Sequence, residues 1–131
     1  VFGDPGAADA VKSDVYALAY NNVNYVYDIN SRKKFEKLEV LPIDFNNNNI
    51  IDANENNYET LDNINEAIIK GDYPSPPARD LYFVSKGQPQ KKEVRAFIEW
   101  ILTDGQQFVS QAGYVPLSKE KIETEMAKIK N

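Results

Sequence analysis

Apolar positions along this chain fall at two different spacings. From Lys92 to Thr103, Val94, Phe97, Ile98, Ile101 and Leu102 recur at helical intervals and form one stripe, with Trp100 lying off it. Asp104-Gly105 interrupts the pattern, Phe108, Val109 and Ala112 resume it, and Gly113 closes it. A helix is likewise predicted over Tyr58 to Lys70, where Leu61, Ile64, Ala67 and Ile68 share a face and Gly71 sits at the C-cap position. Ser118 can cap a last amphipathic helix carrying Ile122, Met126 and Ile129. Near the start, Gly3-Asp4-Pro5-Gly6 reads as a turn opening a short helix over Ala7 to Lys12.

Between these segments lie runs dense in Val, Ile, Leu and Tyr: Val15 to Tyr20, Asn24 to Ile29, Leu38 to Ile43 and Leu81 to Val84. Each reads as a short strand. Tyr73-Pro74-Ser75-Pro76-Pro77 reads as extended, because proline biases itself and its predecessor away from helix. Arg32 to Lys37 reads as a solvated basic stretch. Strands alternating with helices predict an α/β fold, with the Lys92–Thr103 stripe packed on the Leu81–Val84 strand as its main core.

Composition narrows the chemistry. The 131 residues fit one domain. Cysteine and histidine are both absent, which excludes disulfides, thiol catalysis, the usual zinc sites and serine–histidine–acid triads. The net charge of −5 argues against nucleic acid and against an anionic membrane surface. No apolar run approaches the ~18 residues of a membrane span, so no direct membrane insertion is expected. The chain starts at Val1 without an initiator Met, which predicts a processed or truncated product.

The chemistry-bearing pattern is the Asn-rich run from Asp44 to Glu55, a match to the 12-residue EF-hand calcium loop. Asp44, Asn46 and Asn48 hold loop positions 1, 3 and 5, where side-chain oxygens converge on the ion. Ile50 at position 7 would lend its carbonyl, Asp52 at 9 would reach directly or through water, and Glu55 at 12 would clamp bidentately. Ile51 follows as the apolar anchor. Asn49 stands where the motif has its glycine at position 6; that slot needs positive φ, which Asn tolerates best among residues with a side chain. A helix follows the loop but a predicted strand precedes it, giving strand–loop–helix. The competing reading is a solvated loop with accidental spacing.

A second pattern carries a resemblance. Asp72-Tyr73-Pro74, Arg79-Asp80-Leu81-Tyr82, Phe97-Ile98-Glu99-Trp100-Ile101-Leu102, Asp104-Gly105-Gln106 and Gly113-Tyr114-Val115-Pro116-Leu117 resemble the C-terminal blocks of periplasmic phosphate-binding proteins, with Ala17-Leu18-Ala19-Tyr20 similar to an earlier strand. The resemblance implies the C-terminal portion of a two-lobe, type II α/β binding fold. Residues 1–43 would end the second lobe, 44–57 would be an EF-hand-like insertion, and 58–131 would return to complete the first lobe. It also implies the phosphate-capturing component of an ABC importer, delivering to a membrane permease, in the periplasm or as a cell-envelope lipoprotein. The family's oxyanion ligands lie upstream, so phosphate binding would need upstream residues. Here only Asn21 and Asn22, at a predicted strand end, are candidates for ligand contact, against an ordinary turn. Arg79 is expected in an ion pair.

Two functions follow as expectations. One is the importer component; the other is a calcium-stabilised interaction or scaffold module with no transport ligand. An enzyme is not expected, because pairs such as Asp52 and Glu55 are better explained as calcium ligands.

Overall fold

The computed structural model describes residues 2–130. Its contacts divide the chain into two compact units, Val1–Ala78 and Arg79–Asn131. The regular elements are α1 (Gly3–Ser13), α2 (Leu61–Lys70), α3 (Lys92–Leu102) and α4 (Lys119–Lys130), with 3-10 turns at Val23–Tyr25 and Asp104–Phe108.

The core of the first unit is built around α2. Thr60 and Asn63 form a reciprocal capping box at its start, and Gly71 ends it at φ 82°. Its apolar face buries Leu61, Ile64 and Ala67. Leu61 and Ile64 join Tyr27 and Tyr58, with Val23, Val26, Val40, Ile68 and Tyr73 packed around them. A tight turn brings Tyr27 there: Asp28 Oδ1 accepts the Asn30 and Ser31 N–H groups, and the Phe35 N–H donates to the Val26 carbonyl. The Arg32 guanidinium then reaches Asp62 in the first turn of α2, at 2.7 Å. The Tyr27 hydroxyl donates to the Tyr58 carbonyl at 2.7 Å, so the phenol is buried with its polar tip satisfied. In the same unit, α1 packs against the Val23–Tyr25 turn.

In the second unit α3 and α4 pack together. The Gln106 side chain fastens this unit, donating to the Ile101 carbonyl and accepting the Leu117 N–H, both at 2.8 Å. Gly105 is buried where a Cβ would lie 3.0 Å from the Trp100 carbonyl, so only glycine fits there without a shift. Lys121 pairs with Asp80 at 2.8 Å.

The α/β architecture expected from the sequence is not what forms. Among the described residues there is no sheet, only the isolated bridges Tyr27–Lys34 and Lys33–Thr60. With it falls the expected C-terminal portion of a two-lobe type II binding fold, and the strand of the strand–loop–helix. The reason is non-local. A β-prone run becomes a strand only when a second run supplies its ladder. Leu81–Val84 is the one such run in its unit, and its four side chains are 70–94 % exposed. In the first unit, Asn24–Ile29 is consumed by the 3-10 turn and the tight turn, and Leu38–Ile43 buries Leu38 and packs Val40 on the α2 core without a ladder partner. Val15 and Tyr16 are left 92 and 93 % exposed. The expected core of the second unit changes accordingly: Phe97 is 56 % exposed, and Leu102 is the buried residue of α3.

Burial raises the pKa of the core phenols. Tyr73 is pushed up to about 12 by desolvation and by Tyr58, and burial also drives Tyr27 and Tyr58 upward. A raised phenol contributes stability in full below the unfolded value of about 10, and that stability is lost as pH climbs toward the folded value. The tyrosinate absorbance of the chain is therefore expected to rise in two steps, exposed phenols first and the Tyr27–Tyr58–Tyr73 group only with alkaline unfolding. A single step would contradict the core described. Leu61→Ala is expected to cost ~2–5 kcal/mol in denaturant unfolding. Phe97→Ala is expected to cost no more than about 1 kcal/mol.

Candidate metal centre

The loop Asp44–Glu55 is shaped by its own polar side chains. Asp44 Oδ2 accepts the Asn49 N–H at 2.8 Å and Oδ1 accepts the Asn48 N–H at 3.2 Å. Asn46 Oδ1 accepts the Asn48 N–H at 3.0 Å, and Asn48 Oδ1 accepts the Ile50 N–H at 2.8 Å. Each is the short side-chain-to-backbone bond by which Asx residues tighten a turn. The backbone follows into the left-handed region at Asn47, φ 59°, and at Asn49, φ 65°. Position 6 of the predicted calcium loop thus has the positive φ that its usual glycine supplies.

The predicted ligands come together in two groups. Asp52 Oδ2 accepts one N–H from the Asn46 amide and one from the Asn48 amide, each at 2.8 Å. Glu55, at position 12, is 1 % exposed and lies beneath the loop. Its Oε1 accepts the Phe45 and Asn46 N–H groups at 3.2 and 3.3 Å, and its Oε2 accepts the Asp52 N–H at 3.0 Å. Ile50, expected to lend its carbonyl, stays 64 % exposed at the loop's outer edge. Ile51, the expected apolar anchor, is 39 % exposed.

Besides the Glu55 bonds, a second fastening joins the two ends of the loop. Ile43, immediately before the first ligand, donates its N–H to the Tyr58 hydroxyl at 3.2 Å. Tyr58 lies three residues beyond Glu55, in the core, edge-on to Tyr73 with ring centroids 6.1 Å apart. The sequence reading missed this fastening. Spacing alone marks ligands, whereas Tyr58 is a core residue whose polar tip happens to face the loop entrance.

The donor set suits a hard cation. Every predicted ligand offers oxygen, and three of them are formally anionic, as calcium prefers. Among the described residues no three His, Cys, Asp or Glu side chains gather into a group that could hold a metal, and what Asp52 meets is the Asn46 and Asn48 amides. Those amide N–H groups hold Asp52 as a cation would. Because an amide NH2 cannot ligate a metal, binding requires both to turn and present oxygen instead.

The two candidate ligand asparagines elsewhere serve the backbone. Asn21 donates to the Asp4 carbonyl at 2.8 Å and accepts the Asn22 N–H at 2.9 Å, while Asn22 caps the Val23–Tyr25 turn through the Asn24 N–H. Neither is brought to the Asp44–Glu55 loop.

Asn49 gives the sharpest local prediction. Asn49→Gly is expected to keep or raise the loop's stability. Asn49→Ala is expected to lower it by about 1 kcal/mol, the cost of a Cβ in the left-handed region. Thermal unfolding of both variants with calcium present checks it, and equal melting temperatures would contradict the assigned backbone.

Comparison adds no relative from which a ligand could be borrowed: the chain matches no family model, no curated protein and no solved structure.

Proposed function

We propose that this chain is a calcium-stapled interaction module, in which one ion held by Asp44, Asn46, Asn48, Asp52 and Glu55, with the Ile50 carbonyl, closes the first unit. The observation that carries this reading is Glu55. Its carboxylate sits almost without exposure at the floor of the loop, within reach of backbone from both ends of the motif. Burying a charge is costly unless it is compensated. A divalent ion would compensate it in full. In this reading the ion is structural, stapling the loop to the core through Glu55 and not opening a paired hand as in a calcium sensor.

A second reading, the phosphate-importer component, rests on the sequence blocks between Asp72 and Leu117. The observation favouring it is the exposed apolar surface of the second unit. Phe83, Phe97, Trp100 and Phe108 form a row with ring centroids 6.2–6.5 Å apart, and Leu81, Tyr82 and Val84 lie bare around Phe83. Such a surface would suit burial within a larger body. Among the described residues no helix is long and apolar enough to cross a membrane.

Thermal unfolding with calcium and with a chelator tests the first reading. At a hundredfold excess of calcium over its dissociation constant the folded state gains about 2.7 kcal/mol, and Glu55→Gln is expected to lose most of that gain. Magnesium is expected to substitute poorly, because it demands a tighter octahedron and keeps its water. A melting temperature indifferent to millimolar calcium would overturn the proposal.

A further inference from the structure

The aromatic row of the second unit and the bare run Val15–Tyr20 are both exposed, but nothing else in the structure indicates what would cover either. The fastening at the loop entrance goes further. We infer that Tyr58 is a positioning residue for the calcium loop, holding its two ends at the separation from which an ion can be bound. The inference rests on the calcium reading above.

The geometry is specific. Ile43 precedes Asp44, the first ligand, and Tyr58 follows Glu55, the last, by three residues. One hydrogen bond, from the Ile43 N–H to the Tyr58 hydroxyl at 3.2 Å, therefore closes a ring of chain that contains every ligand. The Tyr58 side is rigid. Its ring is 5 % exposed among Tyr27, Leu61 and Ile64, and its carbonyl receives the Tyr27 hydroxyl at 2.7 Å. The Ile43 side is not rigid by itself, because it belongs to an extended segment without ladder partners and Pro42 supplies no N–H. The bond thus ties the entrance of the loop to the core.

The consequence concerns affinity. A loop whose ends are already fixed loses less conformational freedom when an ion gathers its ligands, and binds more tightly by that difference. Replacing the Tyr58 hydroxyl by hydrogen leaves the ring in the core but frees Ile43. The ordering cost then falls on binding. Because one net hydrogen bond is at stake, calcium affinity is expected to drop roughly 3- to 10-fold. Gln106→Ala is the control. It removes two hydrogen bonds of the second unit and touches neither the loop nor the core around Tyr58, so it is expected to leave calcium affinity unchanged.

The test is calorimetric titration of the whole chain with calcium after chelator treatment, for wild type, Tyr58→Phe and Gln106→Ala. The expected result is a 3- to 10-fold weaker dissociation constant for Tyr58→Phe and a change under about twofold for Gln106→Ala. No calcium binding by wild type would overturn the calcium reading and this inference with it. Wild-type binding with Tyr58→Phe unchanged, or with both variants weakened alike, would overturn this inference and leave the calcium reading standing. Amide hydrogen exchange of wild type gives an independent reading that needs no variant to fold. Calcium is expected to slow exchange at Ile43 along with the loop amides of Asn48 and Asn49. Slowing at Asn48 and Asn49 but not at Ile43 would overturn the role assigned to Tyr58.

Discussion

A buried carboxylate governs the first unit. Glu55 has almost no exposure, and its two oxygens are held only by neutral N–H groups from Phe45, Asn46 and Asp52. Such donors offset part of the cost of taking a charge out of water. They also dictate the shape of everything around them, because three amides from both arms of the loop must point inward at one side chain. That inward turn brings Asn49 into the left-handed region and lays the Asp44, Asn46 and Asn48 side chains along the inner edge. It also leaves Asp52 facing two asparagine amides.

The loop is connected to the rest of its unit through tyrosine. Tyr58 touches the loop entrance with its hydroxyl, Tyr27 with its carbonyl and Tyr73 with its ring. Its burial and that of Tyr27 keep the phenols protonated well above their ordinary range. A charge on either would lie in the apolar core close to Glu55 or Glu39. Fold and candidate site are thus linked by the same small group of side chains. Any ion that orders the loop also stabilises the packing of α2, and any loosening of α2 weakens the loop, as linkage requires. The second unit has a different character, with short α3 and α4, one buried leucine and an uncovered aromatic row.

What was legible in the sequence is what depends on near neighbours. The helix over Leu61–Lys70 announced itself by its spacing and by Gly71, and α3 and α4 were legible from their stripes. The turns of the loop were legible because Asp44, Asn46 and Asn48 recur at alternate positions, from which their side chains reach nearby backbone N–H groups. Strands were misread because Val15–Tyr20, Leu38–Ile43 and Leu81–Val84 have the composition of strands but lack partners, and pairing is a property of the whole chain. The face of α3 was legible in part: Ile98, Ile101 and Leu102 of its stripe turn inward, whereas Phe97, assigned to a strand that does not form, is left half in solvent. The role of Tyr58 was hidden as well, since a tyrosine beside a motif looks no different from any other core aromatic.

The most direct test of the account is a high-resolution structure of the chain grown with calcium. It is predicted to show one ion ringed by oxygens of Asp44, Asn46, Asn48, Asp52 and Glu55 at about 2.3–2.6 Å, with the two asparagine amides turned so that oxygen replaces nitrogen. An ion elsewhere, or Asn46 and Asn48 still donating N–H to Asp52 in saturating calcium, would contradict it.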